Sequence, residues 1–562
     1  MALKFKIIDK CWQDASDVPA GDADFLLEKD GWNDLGYHVL YHLHATGLIT
    51  GKGNEYLGSI RIMKKGQQLY EIYMLEKDLK SRFFMKLPED YVSLSSSIEM
   101  YESLSRLLNH NKRNAFIQQL HLIFDESSPF YDNSLENDDC FNKALLRDIS
   151  FDSYALLRGK ALMYRLATVY NLQKQKVNVS FANCENSIEL NFSCLPDCGA
   201  KLIPNGVIAF IGKNGSGKSS AIYNLAKLIY ASPDQRYRLK NNIGELRPND
   251  LGISKLFVVS YSPFDNFVLP GIGGDDYRLL LQGMENGDGR FVFCGIRDVE
   301  TEFMSILGNS DDSTYESLYE KLRQDNTCLK PLTSLSDEFA DSMGMIEKDD
   351  IRENIWNEIS GKAQEIFPEI NQVMECFLLQ PSRSERVEMF QSLSTGYKFF
   401  LHSLSRIIAN IENDSMILFD EPENHIHPPM LSFMMASLRL ILSKFQSVML
   451  VATHSPVVLQ ETFAKNVFVV RNIGDSCEIS HPKIETYGAS ISEITSEVFD
   501  LTTDVTNYFA AYETLYKKWR MDEHWKDVDD MLDSFCIHLG GRISPQLISF
   551  LISLYVEERQ NN

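Results

Sequence analysis

The chain has no apolar run approaching the roughly 20 residues that a membrane-crossing helix needs, and it has no internal repeat or low-complexity tract. Positive charge is scarce: 55 Lys and Arg stand against 78 Asp and Glu, a formal net charge of −23. Non-specific coating of nucleic acid runs on clustered Lys and Arg, so that class is excluded for the chain as a whole, though a local basic groove is not. The short basic stretches NKRN (111–114) and YKKWR (516–520) read as solvated faces. The ten cysteines follow no framework spacing, and the closest pair, Cys194 and Cys198, lacks a second pair to complete a zinc site. Reduced thiols and a cytoplasmic location are therefore expected. At the N-terminus, MALKFKIIDKC meets Lys4 before an apolar stretch can develop, so no signal peptide is expected.

What remains is ordinary for a folded protein: 562 residues, 44% hydrophobic and 24% charged, enough chain for several domains. Residues 1–176 read as a β-rich stretch to about 95 and then a helical one. In GYHVLYHLH (36–44) the alternation puts His38, His42 and His44 on one strand face. An outward polar face is expected there, with a three-histidine metal site as the alternative. Residues 177–300 open an α/β segment, 301–385 are acidic and helical and read as an insertion, 386–500 return to α/β, and 501–562 are helical. The last stretch carries Tyr512, Tyr516 and Trp519 on one side. The expected class is α/β.

The strongest signal is VIAFIGKNGSGKSSAIYNLAKLIY, from Val207. Gly212, Lys213, Asn214, Gly215, Ser216, Gly217, Lys218 and Ser219 match the G-x-x-x-x-G-K-S phosphate loop, followed by Ser220. Glycines let the backbone wrap closely round phosphate with its N–H groups pointing inward. Lys218 reaches the terminal phosphates, and Ser219 supplies a hydroxyl for Mg²⁺. An apolar strand precedes the loop, and an amphipathic helix presents its positive N-terminal end to the phosphates. The cofactors expected are therefore ATP and Mg²⁺.

A phosphate loop of this kind needs a second carboxylate-bearing strand end to hold Mg²⁺ and orient water. SMILFD delivers Asp420 to a strand end as the magnesium partner, and Glu421 is placed beside it to polarise the attacking water. Pro428 and Pro429 then fit the first turn of the helix that follows. His425 and His427 form a His-x-His pair, for which metal ligation is the alternative reading. In LSTGYKFFLHSLSRII (393–408), Ser394-Thr395-Gly396 precede a helix with apolar Phe400, Leu401, Leu404, Ile407 and Ile408, another anion-binding start. SVMLVATHSP (447–456) is a strand ending in His454, placed to hydrogen-bond a γ-phosphate.

Taken in order, these motifs resemble those of the ABC-type ATPases, including the SMC and Rad50-like branch. The resemblance implies an ABC-type P-loop ATPase head, with a β-rich N-terminal region, a helical insertion and a helical C-terminal tail added to it. It makes Leu393 to Gly396 the signature motif and His454 the switch histidine. It also implies a homodimer or higher even oligomer in which the signature of one chain covers the nucleotide of another. Tyr397 departs from the Gln or Glu usual after the signature. VVSYSPFDNF (258–267) has no Gln where the inter-lobe glutamine belongs, leaving Ser262 or Asp265 to stand in for it.

DEPENHIHP and ATHSP further resemble the OLD-like ATPases of bacterial defence. WNDLGY (32–37), GSIRI and YGASISEITSEVFDL (487–501) resemble the ATPase subunits of Septu-type anti-phage systems. Those subunits work with a separately encoded HNH nuclease, the partner this likeness implies. A long form of this kind accompanies some retrons, which would add a reverse transcriptase with its RNA-linked DNA, and nucleic acid would be reached through such partners. No membrane partner is implied.

Three rivals share part of the pattern. A self-contained OLD-like nuclease would need an Asp-x-Asp on a strand end; after His454 only Asp527-Val528-Asp529 has that spacing, and a solvated helix face accounts for it. An SMC or Rad50-like DNA-repair clamp would need long heptad arms between residues 220 and 392, where no sustained heptad pattern runs. A transporter ATPase subunit has no place for the long N-terminal region.

Overall fold

The structure is a computed structural model. It describes residues 2–9, 19–31, 35–51, 53–147, 149–164, 172–182, 184, 186–192, 206–231, 236, 239–247, 251, 253–263, 270, 280–281, 283–284, 289–307, 328–367, 382–473, 476–499 and 507–561. Cys194, Cys198 and Asp265 lie outside the described residues, as do 32–34 of WNDLGY and parts of the expected insertion. The fold is mixed α/β, and the chain divides into two compact units: 1–481 with 485–488, and 482–484 with 489–562. The second unit takes in the helix Ile491–Phe499 together with the helices that follow.

Within the first unit, β1 (Phe5–Ile8), β2 (Phe25–Lys29), β3 (Leu40–Ala45), β4 (Glu55–Lys64), β5 (Phe83–Phe84) and β6 (Tyr91–Leu94) form one sheet in the order β5-β1-β2-β3-β4-β6. Only β1 and β2 run parallel in it; the other pairs are antiparallel. Its core closes around Phe5, Phe25 and Phe116, with Phe5 stacked on Phe25 and both rings edge-on to Phe116. The expected outward histidine face is corrected here. His42 and His44 share a face, both rings lying against Tyr56, but that face is covered: His44 is buried with Nε2 3.0 Å from Glu28 Oε2. His42 pairs instead with Asp30 at 3.3 Å and with the Tyr56 hydroxyl. Two carboxylates account for these rings, and no group of three metal-ligating side chains occurs among the described residues.

A three-stranded antiparallel sheet, β7 (Lys176–Phe181), β8 (Ile188–Asn191) and β10 (Gly244–Arg247), takes the order β10-β7-β8. KVNVSF alternates strictly, and its Val177, Val179 and Phe181 face the core.

The central sheet has seven strands: β9 (Val207–Ile211), β11 (Leu256–Ser260), β12 (Phe291–Gly295), β13 (Met416–Asp420), β14 (Val448–Thr453), β15 (Val467–Ile473) and β16 (Ser476–Ser480). Their order is β12-β11-β13-β14-β9-β15-β16, parallel throughout except for the β15–β16 hairpin. VIAFI, LFVVS, MILFD and VMLVAT are buried at every residue. Such continuous apolar runs belong to parallel strands covered on both faces. Ile208, Phe210, Val258, Leu418 and Leu450 share a core with Ile222, Leu225 and Ile229 of the helix Lys218–Tyr230. Helices Leu332–Ile346, Arg383–Ser392 and Thr395–Asn410 pack on one another. Phe339 stacks on Phe390 at 4.8 Å within that layer.

In the second unit, helices Asn507–Asp522, Val528–His538 and Pro545–Asn561 close around Tyr516, Trp525, Met531, Phe535, Leu551 and Tyr555. Tyr512 and Trp519 pack against the same core, so the aromatic side of the first helix faces inward. Asp527 caps the helix Val528–His538, its carboxylate accepting from Asp530 N at 2.9 Å. No described helix is long and apolar enough to cross a membrane.

Candidate active site

In parallel sheets, ligands bind beyond the carboxyl ends of the strands, and the expected motifs gather at that end. The phosphate loop leaves β9 after Ile211. Gly215 and Gly217 hold φ of +76° and +94°, backbone states that favour glycine. Gly212 is there for space: a Cβ on it would sit 2.3 Å from Val470 O and 2.7 Å from Ser216 Oγ. Ser216 Oγ is buried without a hydrogen-bond partner, which marks an acceptor-seeking group in the cradle. Asn214 and Ser220 are exposed at its rim. Asn472 on β15, absent from the sequence reading, ties the loop down by donating to Gly215 O at 2.7 Å.

Lys218 is buried, and its ammonium donates to Gly212 O and Lys213 O, both at 3.1 Å. Burial pulls its pKa down, and the carboxylates of Glu421, Asp420 and Glu423 oppose that. A buried cation at the end of a glycine-rich turn that opens a helix is a polyanion-binding arrangement.

Asp420 ends β13. Ser219 Oγ donates to its Oδ1 at 2.9 Å and Tyr223 OH to its Oδ2 at 2.6 Å. Tyr223 was not singled out in the sequence. Its signal is the spacing of four from Ser219 on one helix, which puts both hydroxyls on one face. The donor set fits Mg²⁺: a hard cation takes oxygen ligands, and a carboxylate and a hydroxyl already meet here. Ser219 and Asp420 are the residues that would hold it.

β14 runs between β9 and β13, pairing Thr453 with Ile211 and Ala452 with Asp420. His454, just past its end, therefore reaches Glu421: Nε2 is 3.5 Å from Glu421 Oε1. Asn424 Nδ2 donates to the other oxygen at 2.9 Å. Those contacts, His454 first, hold the Glu421 carboxyl below its ordinary pKa and so ionised at neutral pH. Glu421 also has φ of +49°. A non-glycine residue held there costs on the order of 1–3 kcal/mol, and such strain clusters at functional sites.

Glu423 is the third residue the sequence reading passed over. Its Oε2 accepts the Thr453 hydroxyl at 2.8 Å, and its Oε1 accepts His454 N–H. Burial raises its pKa against those two donors.

His427 caps the helix Pro428–Lys444, its Nδ1 accepting from Met430 N at 3.3 Å, while His425 is exposed with φ of +69°. That capping bond is the place of His427 in this structure, in contrast to the metal alternative. Ser394 is the exposed N-cap of Thr395–Asn410 and makes no side-chain capping bond. A Cβ on Gly396 would lie 2.8 Å from His425 O. The structure thus joins the phosphate loop, Asp420, Glu421 and His454 directly, and sets Gly396 against the backbone that follows Glu421.

No family model matches the chain. It is 24% identical over 543 residues to protein ea59 of Escherichia phage lambda, covering 92% of this chain and 95% of that one. Among solved structures, an Smc head bound to the C-winged helix domain of ScpA is 12% identical and covers 54% of this chain and 96% of that chain. Its TM-score of 0.24 is too low to bear on the fold.

Proposed function

We propose that the chain binds and hydrolyses ATP with Mg²⁺. The observation that carries this reading is the Ser219–Asp420 hydrogen bond, which joins the phosphate loop to the carboxylate strand across 201 positions of sequence. Lys218 and the N–H groups around Gly212, Asn214, Gly215, Ser216 and Gly217 take the phosphates, with Ser220 at the rim. Ser219 and Asp420 would hold Mg²⁺, which would supply neutralisation of phosphate charge when bound. Glu421, ionised beside His454, accepts a proton from the attacking water, and His454 faces the terminal phosphate.

Ser394 and Gly396 act on the nucleotide of a second copy, so the working form is a homodimer or higher even oligomer. In that form ATP shifts a population between open and closed arrangements, which requires that it bind one better than the other. The wider role follows the resemblance to Septu-type ATPase subunits: a nucleotide-dependent gate on a separately encoded HNH nuclease in anti-phage defence. In the retron-associated form a reverse transcriptase and its RNA-linked DNA join it.

The test is nucleic-acid cleavage by the purified chain alone, on DNA and on RNA, with ATP and Mg²⁺ or Mn²⁺, while hydrolysis is followed in the same tube. Hydrolysis without cleavage is expected. Cleavage that survives Lys218→Ala would put the nuclease in this chain and overturn the gate.

A further inference from the structure

A chain of polar groups lies under the helical layer beside the site. Tyr261 follows Ser260, and Ser260 pairs with Asp420 in the sheet, so Tyr261 stands where the chain leaves β11 at the carboxyl end. Its side chain turns into the protein, buried, with its ring edge-on to Phe399 at 4.4 Å. Its hydroxyl lies 2.5 Å from His402 Nδ1, and His402 Nε2 lies 3.0 Å from Glu338 Oε2. Lys330 Nζ reaches the other oxygen of Glu338 at 2.6 Å, and Arg406 Nε approaches to 3.9 Å. Four separate elements meet in this chain: β11, the segment before Leu332, and the helices Leu332–Ile346 and Thr395–Asn410.

One proton arrangement satisfies Tyr261, His402 and Glu338. Burial raises the Tyr261 hydroxyl well above its ordinary range, so it keeps its proton and donates to Nδ1. Burial also lowers the His402 imidazole, leaving it neutral with its proton on Nε2, donated to Glu338. Burial alone would raise Glu338, but His402, Lys330 and Arg406 together hold it ionised.

Such a network is poor value for stability, because well-packed apolar side chains of the same volume serve at least as well. What it supplies is position. A donor chain is satisfied only at one distance and one rotation of each element, whereas an apolar contact tolerates slippage. His402 sits eight residues into the helix from Ser394, roughly 12 Å along its axis at 1.5 Å per residue. Whatever holds His402 therefore aims the start of that helix.

We infer that Tyr261, His402 and Glu338 are positioning residues that set Ser394 and Gly396 relative to the sheet end bearing Asp420 and Glu421. The inference rests on the ATPase reading above. It also gives the exit of β11 a definite anchor in a segment that has no glutamine.

The test uses the full chain with Tyr261→Phe, His402→Leu and His402→Gln. Tyr261→Phe removes one hydroxyl and keeps the ring on Phe399; the amide of His402→Gln can still donate to Glu338 and accept from Tyr261. For Tyr261→Phe and His402→Leu, kcat falls about tenfold or more while affinity for a fluorescent ATP analogue stays within about threefold. His402→Gln recovers part of that loss, which a merely structural role would not predict. Unchanged kcat in Tyr261→Phe, or a loss that tracks the fall in Tm across the three variants, would overturn the inference. Wild type that hydrolyses no ATP, with Lys218→Ala binding nucleotide as well as wild type, would instead sink the ATPase reading itself.

Discussion

Glu423 holds the turn that carries His454: one carboxylate oxygen accepts the His454 N–H and the other accepts the Thr453 hydroxyl at 2.8 Å. The loop after β13 and the end of β14 are thereby one rigid piece, and Glu421 and His454 face each other because of it. Glu423→Gln leaves one of these buried donors facing an amide N–H, a loss of about 1–3 kcal/mol locally. The expected result is a lower kcat with nucleotide affinity little changed, read by steady-state kinetics beside equilibrium binding. Equal losses in both would show that Glu423 only supports the fold.

Glu421→Gln is expected to bind ATP and fail to hydrolyse it, with kcat down on the order of 10²-fold or more, as for loss of a general base. The trapped nucleotide should then favour the closed oligomer, seen as a mass shift by light scattering with ATP. Hydrolysis at the wild-type rate would remove Glu421 from the role of base.

Lys218→Ala acts one step earlier. The buried ammonium faces the carbonyls of Gly212 and Lys213 and three carboxylates, so its removal should weaken ATP binding about tenfold or more, roughly 1.4 kcal/mol. Binding of the fluorescent analogue checks this directly.

Gly212→Ala separates shape from charge. The new methyl would meet Val470 O at 2.3 Å, a backbone atom that cannot swing aside. Overpacking of this sort costs about 1–3 kcal/mol. Both Tm and nucleotide affinity should fall, although no charged group has changed.

In the second unit Glu523 accepts from Ser534, His538 and Trp525, which together lower its carboxyl from 4.5 to about 2. An acid depressed on folding contributes stability that is present above its unfolded value and lost as pH falls through its folded one. Protection of residues 507–561 from hydrogen exchange should therefore decline between pH 4.5 and about 2. Glu523→Gln should flatten that decline and lower protection at neutral pH; an unaltered profile would show that other carboxylates govern it.

Much of the candidate site was legible in the chain because its parts are short, local and chemically demanding. A phosphate cradle needs glycines at fixed places, a lysine and a hydroxyl, and GKNGSGKSS supplies them in one run. Asp420 and Glu421 stand out for a related reason, since an apolar strand ending in two carboxylates needs a cation or a proton to justify them. Tyr223, Glu423 and Asn472 were not legible. Each acts through hydrogen bonds to residues distant in sequence, and tyrosine, glutamate and asparagine are common enough in such places to raise no signal. His44 misled for a different reason: alternation correctly puts His42 and His44 on one face, both against Tyr56, but it cannot say whether that face is covered, and His44 is buried on Glu28.

The sequence by itself determined the α/β class, the phosphate loop and the strand-end carboxylates, because backbone periodicity and phosphate chemistry are written in neighbouring residues. Only the tertiary structure decided that β14 lies between β9 and β13, which is what brings His454 to Glu421. Strand order is settled by which apolar faces bury one another best across the whole sheet, and no local stretch of sequence carries that choice. The same holds for Tyr261, His402 and Glu338: three unremarkable residues from three elements become one chain only when the layers pack.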